Sequence, residues 1–178
     1  SRIPTPVSIE AAPEASRPLL EAVKKQLGVV PNLFRIVSTS PAALEGYLGL
    51  NGALGKGKLP AATRERIALA VAQINSCDYC LAAHTYLGQN VAKLDASEIA
   101  ANRLGTSHDA KADVAVRFAA KIATARGAVS ADDVLAVKAA GYDDVQIVEI
   151  IAHVARHTLT NYVNTVLDTE IDFPQVEA

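Results

Sequence analysis

The sequence predicts an all-α chain, and three observations carry that prediction. Apolar residues recur at spacings of three and four, as in Ile147, Ile150, Ile151 and Val154, and no stretch shows the strict alternation of a strand. Half of the 178 residues are hydrophobic but only 4% are aromatic, so the core must be built from Ala, Val, Leu and Ile. Alanine is the best helix former. Finally, the periodic stretches start at Ser, Asp, Asn or Pro and several stop at Gly, the usual punctuation of helices.

Taken in order, residues 1–13 contain Pro4, Pro6 and Pro13 and read as an extended arm, because proline restricts itself and its predecessor. Helical patterning starts near Glu14 and runs to Leu27, where Gly28 supplies a stop. Asn32 is an N-cap candidate for a short helix to Val37. Ser40-Pro41 reads as cap and first helical position of a helix that fades at Gly55-Lys56-Gly57. Leu59-Pro60 opens a helix over 61–74, Asn75-Ser76 interrupts it, and a further helix covers 77–91. Asp95 or Ser97 caps a short helix to Leu104, and another helix covers 110–126. Ser130-Ala131-Asp132-Asp133 has the form of a capping box before a helix to Ala140, and Gly141 stops it. The last long helix covers 144–167, with the tail 168–178 outside it. The expected organisation is an arm over 1–13 and one all-helical domain over 14–178.

Composition removes several function classes. Net charge is −2 and Lys and Arg are scattered, so no basic footprint for nucleic acid is present. No apolar run approaches the roughly 20 residues that span a bilayer. Residues 1–20 lack an apolar signal core, and the expectation is a soluble, cytoplasmic protein. Two cysteines in a chain of this size do not make a secreted disulfide scaffold; a C-x-x-C here points to redox or metal chemistry.

Those two cysteines are Cys77 and Cys80, followed one helical turn later by His84 and preceded by Glu65. A thiol-based redox centre needs a nucleophile, a resolving thiol, a proton carrier and a base. With Ser76 as N-cap, both cysteines fall in the first turn of a helix, where free N–H groups and the dipole favour a thiolate. Positions 77, 80 and 84 share a face, so Cys80 and His84 are placed for a direct or water-bridged hydrogen bond. Glu65 lies on the preceding helix and reaches His84 only if the two helices fold back on each other. A structural zinc site needs four ligands, and no second C-x-x-C supplies them.

Glu65-x11-Cys77-x-x-Cys80-x-x-x-His84 resembles the core motif of the alkylhydroperoxidase D-like branch of the carboxymuconolactone decarboxylase superfamily. Ile67 to Cys77 and Leu81-Ala-Ala-His84 are similar to the same family. Val30-Pro31-Asn32-Leu33-Phe34 with Ser40-Pro41, and Asn161-Tyr162-Val163-Asn164 leading to Asp172-Phe173-Pro174, look like its peroxidase-related subgroup. The resemblance implies an all-helical fold assembled into trimers or hexamers, and a thiol peroxidase working through a Cys77–Cys80 disulfide cycle. It gives attack to Cys80, resolution to Cys77, and proton relay through a water to His84 and Glu65. It implies a lipoyl or thioredoxin-like dithiol as reductant, with no cofactor and no metal. One departure stands out: the best-known members carry histidine immediately before the second cysteine, and this chain has Tyr79. The decarboxylases lack the cysteine pair, so lactone decarboxylation is disfavoured. The competing reading is a disulfide adaptor or redox sensor without peroxide turnover.

Elsewhere, Glu149, His153 and His157 repeat at i, i+4, i+8, a spacing a metal site can use, but Ile150 and Val154 share that helix and no fourth ligand is evident. His108 reads as solvent-exposed. Arg156 and Asn161 are candidate contacts at a subunit seam. Tyr47 and Tyr86 are read as core-filling.

Overall fold

The computed structural model describes residues 1–176, so the last two residues of the expected domain lie outside it. Nine α-helices follow one another, and there is no strand among the described residues. They are α1 (Arg17–Leu27), α2 (Asn32–Val37), α3 (Pro41–Gly55), α4 (Ala61–Ile74), α5 (Asp78–Asn90), α6 (Ala96–Arg103), α7 (Ala110–Ala125), α8 (Ala131–Ala139) and α9 (Asp144–Leu167). A single 3₁₀ turn, Glu14–Ser16, precedes α1.

Three caps are those read from the sequence, at Ser40, Asp95 and Ser130, and those at Asp109 and Asp143 are further ones. Ser40 accepts from the Ala43 N–H, Asp95 from Glu98 and Asp109 from Ala112. Ser130 and Asp133 form a reciprocal capping box, and Asp143 with Gln146 forms a second. Gly28 closes α1 in the left-handed region (φ 79°), where a side chain is strained. One cap differs from expectation: Pro31, not Asn32, precedes α2, and Asn32 instead donates through its backbone N–H to Asp172.

At the centre lies α4. Ile67 through Ala72 is inaccessible on every side, and α5, α6, α7 and α9 all pack on this helix. Three alanines within that hexad let the neighbouring backbones come close, which is where the Ala-rich composition is used. One apolar cluster joins α1, α2, α3 and α5 with the C-terminal tail, and a second joins α4, α7, α8 and α9. The arm 1–13 is non-helical beyond turns, as read, but it is not free. Ile3 and Ile9 pack on the first cluster, and the Arg2 N–H donates to the Leu167 carbonyl. No helix is long and apolar enough to cross a membrane among the described residues.

The hinge between α4 and α5 positions the site. Asn75 ends α4, Ser76 adopts a left-handed conformation (φ 51°), and the Cys77 N–H reaches back to the Ala72 carbonyl at 3.0 Å. The chain thereby reverses within three residues. At about 1.5 Å per residue, Glu65 stands roughly 15 Å along α4 from the hinge and His84 roughly 10 Å along α5. Antiparallel packing brings the two long side chains level.

Candidate active site

The cap of α5 differs by one residue from the sequence reading. Cys77 itself is the N-cap, with Ser76 outside the helix, and the Cys77 sulfur accepts from the Cys80 N–H at 3.3 Å. A cysteine can take this place because its sulfur occupies the position of a serine oxygen, and the unsatisfied N–H groups of the first turn face it. The two sulfurs lie 2.6 Å apart and both residues are buried, Cys77 at 1% and Cys80 at 3% exposure.

The two thiols are not equivalent. The hydrogen bond from Cys80 and the Cys80 N–H outweigh burial and hold the Cys77 thiol below its ordinary value. The same contact, together with burial, holds the Cys80 thiol up, against the pull of Asn164 and Asn161. Cys77 is thus the more readily ionised of the two, whereas the resemblance places the attacking thiolate on Cys80. Cys77 also lines a polar cleft of about 710 Å³, bounded by Arg2, Asp78, Asn164, Thr165 and the segment 168–171.

The structure brings Glu65 to His84. Its Oε2 lies 2.8 Å from His84 Nδ1, with the two side chains only 22% and 15% exposed. Burial pushes the Glu65 carboxyl up, but the His84 ring and the Arg156 and Arg64 guanidinium groups outweigh it and keep the group below the usual carboxylate range. An ionised Glu65 accepts from Nδ1–H, which leaves Nε2 as the ring nitrogen available to the reaction. Among the described residues no hydrogen bond joins His84 to either sulfur. The donor on Cys80 is Asn164 Nδ2, at 3.3 Å.

His84 meets His157 edge to face, with ring centres 5.0 Å apart. Arg156 donates to His157 Nε2 at 2.7 Å and to the Asn51 side chain. Burial first, then the positive charge of Arg156, keeps His157 neutral, far below its ordinary pKa, and lowers His153 to about 4. Arg156 and Asn161, read as seam residues, are therefore turned inward. Glu149 is spent elsewhere, accepting from the backbone N–H groups of Lys58 and Leu59. A Cβ on Gly57 would sit 2.6 Å from that carboxylate, so glycine is what lets the loop approach.

Tyr79, standing where the best-known relatives have histidine, has its hydroxyl engaged away from the sulfurs. It donates to Asp172 at 2.8 Å and accepts from the Leu33 N–H at 3.1 Å. Burial above all drives its pKa up. Its hydroxyl is therefore not free to donate to a peroxide or sulfenate; the residue ties α5 to α2 and the C-terminal tail. Of the other tyrosines, Tyr47 is buried as read, but Tyr86 is 42% exposed. His108 is exposed, and its backbone N–H donates to Glu98.

The sequence reading did not assign roles to Asn164 or His157. Their signal was there: Asn161 and Asn164 are amides three residues apart on the helix that follows Ile147, Ile150 and Val154, and His157 lies one turn before Asn161.

An all-helical AhpD-like fold with a thiol pair at a helix start and a carboxylate–imidazole pair beside it defines the class. Residues 41–125 match the carboxymuconolactone decarboxylase family. The match covers a little under half of the chain, and AhpD-like, peroxidase-related proteins are among its structural neighbours. One is the alkylhydroperoxidase AhpD core, peroxidase-related protein from Ralstonia eutropha JMP134, at 27% identity and TM-score 0.85, covering 97% of this chain and 92% of that one. A second is the peroxidase-related protein from Silicibacter sp. TM1040, at 24% identity and TM-score 0.80, covering 94% and 91%. The debrominase Bmp8 shares the fold at 20% identity and TM-score 0.79, covering 97% and 93%. No curated protein matches the chain.

Proposed function

We propose that this chain is a thiol-dependent peroxidase that reduces hydroperoxides through a Cys77–Cys80 disulfide cycle, with Glu65 and His84 moving the proton. The observation that carries this reading is the 2.8 Å Glu65–His84 pair on the helix face next to two sulfurs 2.6 Å apart. The peroxidase-related neighbours support an antioxidant role.

The family assignment of attack to Cys80 and the readier ionisation of Cys77 are reconciled by a single proton. Passing the Cys80 S–H proton to Cys77 puts the thiolate on Cys80. That thiolate attacks the O–O bond, the sulfur–oxygen bond forms as the O–O bond breaks, and the departing alkoxide takes a proton that His84 and Glu65 relay from solvent. The Cys77 thiol then condenses with the Cys80 sulfenic acid, forming the disulfide and releasing water. An external dithiol, lipoyl or thioredoxin-like, restores both thiols. The cleft at Cys77 gives such a dithiol an approach. Val148, Ile151, Leu159, Tyr162 and Val166 leave an apolar stripe exposed along α9, which supports a homo-oligomer.

The test is peroxide consumption with dihydrolipoamide as donor, wild type beside Cys80→Ser and Cys77→Ser. Cys80→Ser loses turnover, and Cys77→Ser retains one stoichiometric reaction that stops at the sulfenic acid. Equal rates for wild type and Cys80→Ser remove the proposal. The cleft at Cys77 equally favours a disulfide adaptor. Mixed-disulfide capture by a single-cysteine variant, with no peroxide consumed by the wild type, decides for that alternative.

A further inference from the structure

Two buried carboxamides of α9 act on the Cys80 sulfur: Asn164 hydrogen-bonds it, and Asn161, one turn earlier, pulls its ionisation the same way. Asn161 is fully buried and Asn164 is 3% exposed, one helical turn apart. Asparagine is a poor residue for a helix interior, and burying an amide without full hydrogen bonding costs stability. Both amides are nevertheless incompletely paired: Asn161 Nδ2 and Asn164 Oδ1 have no hydrogen-bond partner.

Their orientation is set by neighbours. Asn75, at the α4–α5 hinge, donates its Nδ2 to Asn161 Oδ1 at 3.0 Å. With its oxygen so occupied, Asn161 turns its NH₂ to the other side. Asn164 donates its Nδ2 to Cys80 Sγ at 3.3 Å. We propose that Asn161 and Asn164 form a two-amide cradle for negative charge on the Cys80 sulfur, and that Asn75 is the residue that positions it. The inference rests on the peroxidase reading for its use, and on side-chain geometry for its existence.

A neutral thiol is a weak acceptor and gains little from two N–H donors; a thiolate gains much more, because hydrogen bonds to charged groups are the strong ones. The cradle therefore acts differentially. Cys80 carries the charge at two points of the cycle. The first is when its proton passes to Cys77. The second is when a reductant thiolate attacks the Cys77 sulfur of the disulfide: the new sulfur–sulfur bond forms at Cys77, the old one breaks, and its electron pair departs on Cys80. The effect on ionisation agrees in direction. Cys77 and burial hold the Cys80 thiol up, while both asparagines pull it down. The remaining titratable groups acting around this sulfur are Tyr47 from α3 and Tyr79 from the same helix.

The experiment titrates Cys80 in the Cys77→Ser background, where serine can keep the helix cap. Thiolate absorbance near 240 nm is followed against pH with Asn164→Ala, Asn164→Asp, Asn161→Ala and Asn75→Ala added singly. Removing either cradle amide lowers the thiolate fraction near neutral pH about tenfold, the size of one lost charge-assisted hydrogen bond. Asn164→Asp, equal in shape, lowers it further because it sets a second negative charge beside the sulfur. Asn75→Ala gives a smaller loss. An unchanged Cys80 titration in both Asn164 variants overturns the cradle and leaves a merely structural pair, as does a rise in thiolate fraction with Asn164→Ala. The titration consumes no peroxide. A shifted titration with no peroxide turnover by the two-cysteine protein would therefore sink the peroxidase alone, and normal turnover of the two-cysteine protein with an unshifted titration would sink the cradle alone.

Discussion

Replacing Glu65 by glutamine separates the charge of this side chain from its shape. Glutamine has nearly the same volume and still offers an oxygen to His84 Nδ1. What disappears is one negative charge 2.8 Å from the ring, between side chains 22% and 15% exposed. Positioned acid–base groups are worth about 10²–10⁴-fold in rate, which corresponds to about 3–5 kcal/mol of barrier at 1.36 kcal/mol per tenfold. The stability change is smaller. Breaking a fully buried pair costs about 3–5 kcal/mol and an exposed one about 0–1. This pair lies between those limits and keeps a neutral acceptor, so about 1–2 kcal/mol is expected. The pH dependence has a definite sign. The folded-state pKa of Glu65 is depressed, so its contribution is present above the unfolded value of about 4.3 and is lost as pH falls through the lower folded value. The gap between wild type and Glu65→Gln in urea midpoint therefore narrows on acidification. Steady-state peroxide consumption from pH 5 to 9 gives the rate, and urea melts at pH 7 and pH 3 give the stability. A variant within threefold of wild type in kcat/KM, with an unchanged pH profile, refutes the proton-relay role of Glu65.

Two further outcomes follow from other contacts. Tyr79→Phe removes the hydrogen bonds to Asp172 and from Leu33. It should lower stability by about 1–3 kcal/mol in chemical denaturation, with peroxide turnover of the remaining folded protein unchanged; a large loss of kcat would return the tyrosine to the chemistry. Glu98 accepts from Arg66, Asn102, Ser107 and the His108 N–H. Burial opposes its ionisation, but those donors prevail and lower its pKa to about 2. Its contribution is therefore present above about pH 4.3 and lost as pH falls toward about 2. Glu98→Gln should cost about 3 kcal/mol near neutral pH, and a thermal melt indistinguishable from wild type there would contradict the assignment.

Much of this molecule was legible in its sequence because the relevant physics is local. Helix periodicity, the Ser40, Asp95 and Ser130 caps, and the left-handed stop at Gly28 each depend on residues within one turn of one another. The spacing of Cys77, Cys80 and His84 on one helix is of the same kind. The one-residue displacement of the α5 cap shows the limit. Serine is the commoner N-cap, but the tight reversal at the hinge puts Ser76 in the left-handed region and hands the cap to Cys77. That detail governs which of the two sulfurs ionises more readily.

What the chain alone determined was the inventory: nine helices, a thiol pair at a helix start, and an acid and an imidazole in the right part of the sequence. Only the tertiary structure decided which groups touch. Glu65 meets His84 because α5 folds back on α4, and Asn164 meets Cys80 across more than eighty residues. Tyr79 is drawn off to Asp172, and His157 comes to rest against His84. Side-chain contacts between helices depend on crossing geometry and on which competing partner lies nearer, and neither quantity is written in the spacing of residues along one helix.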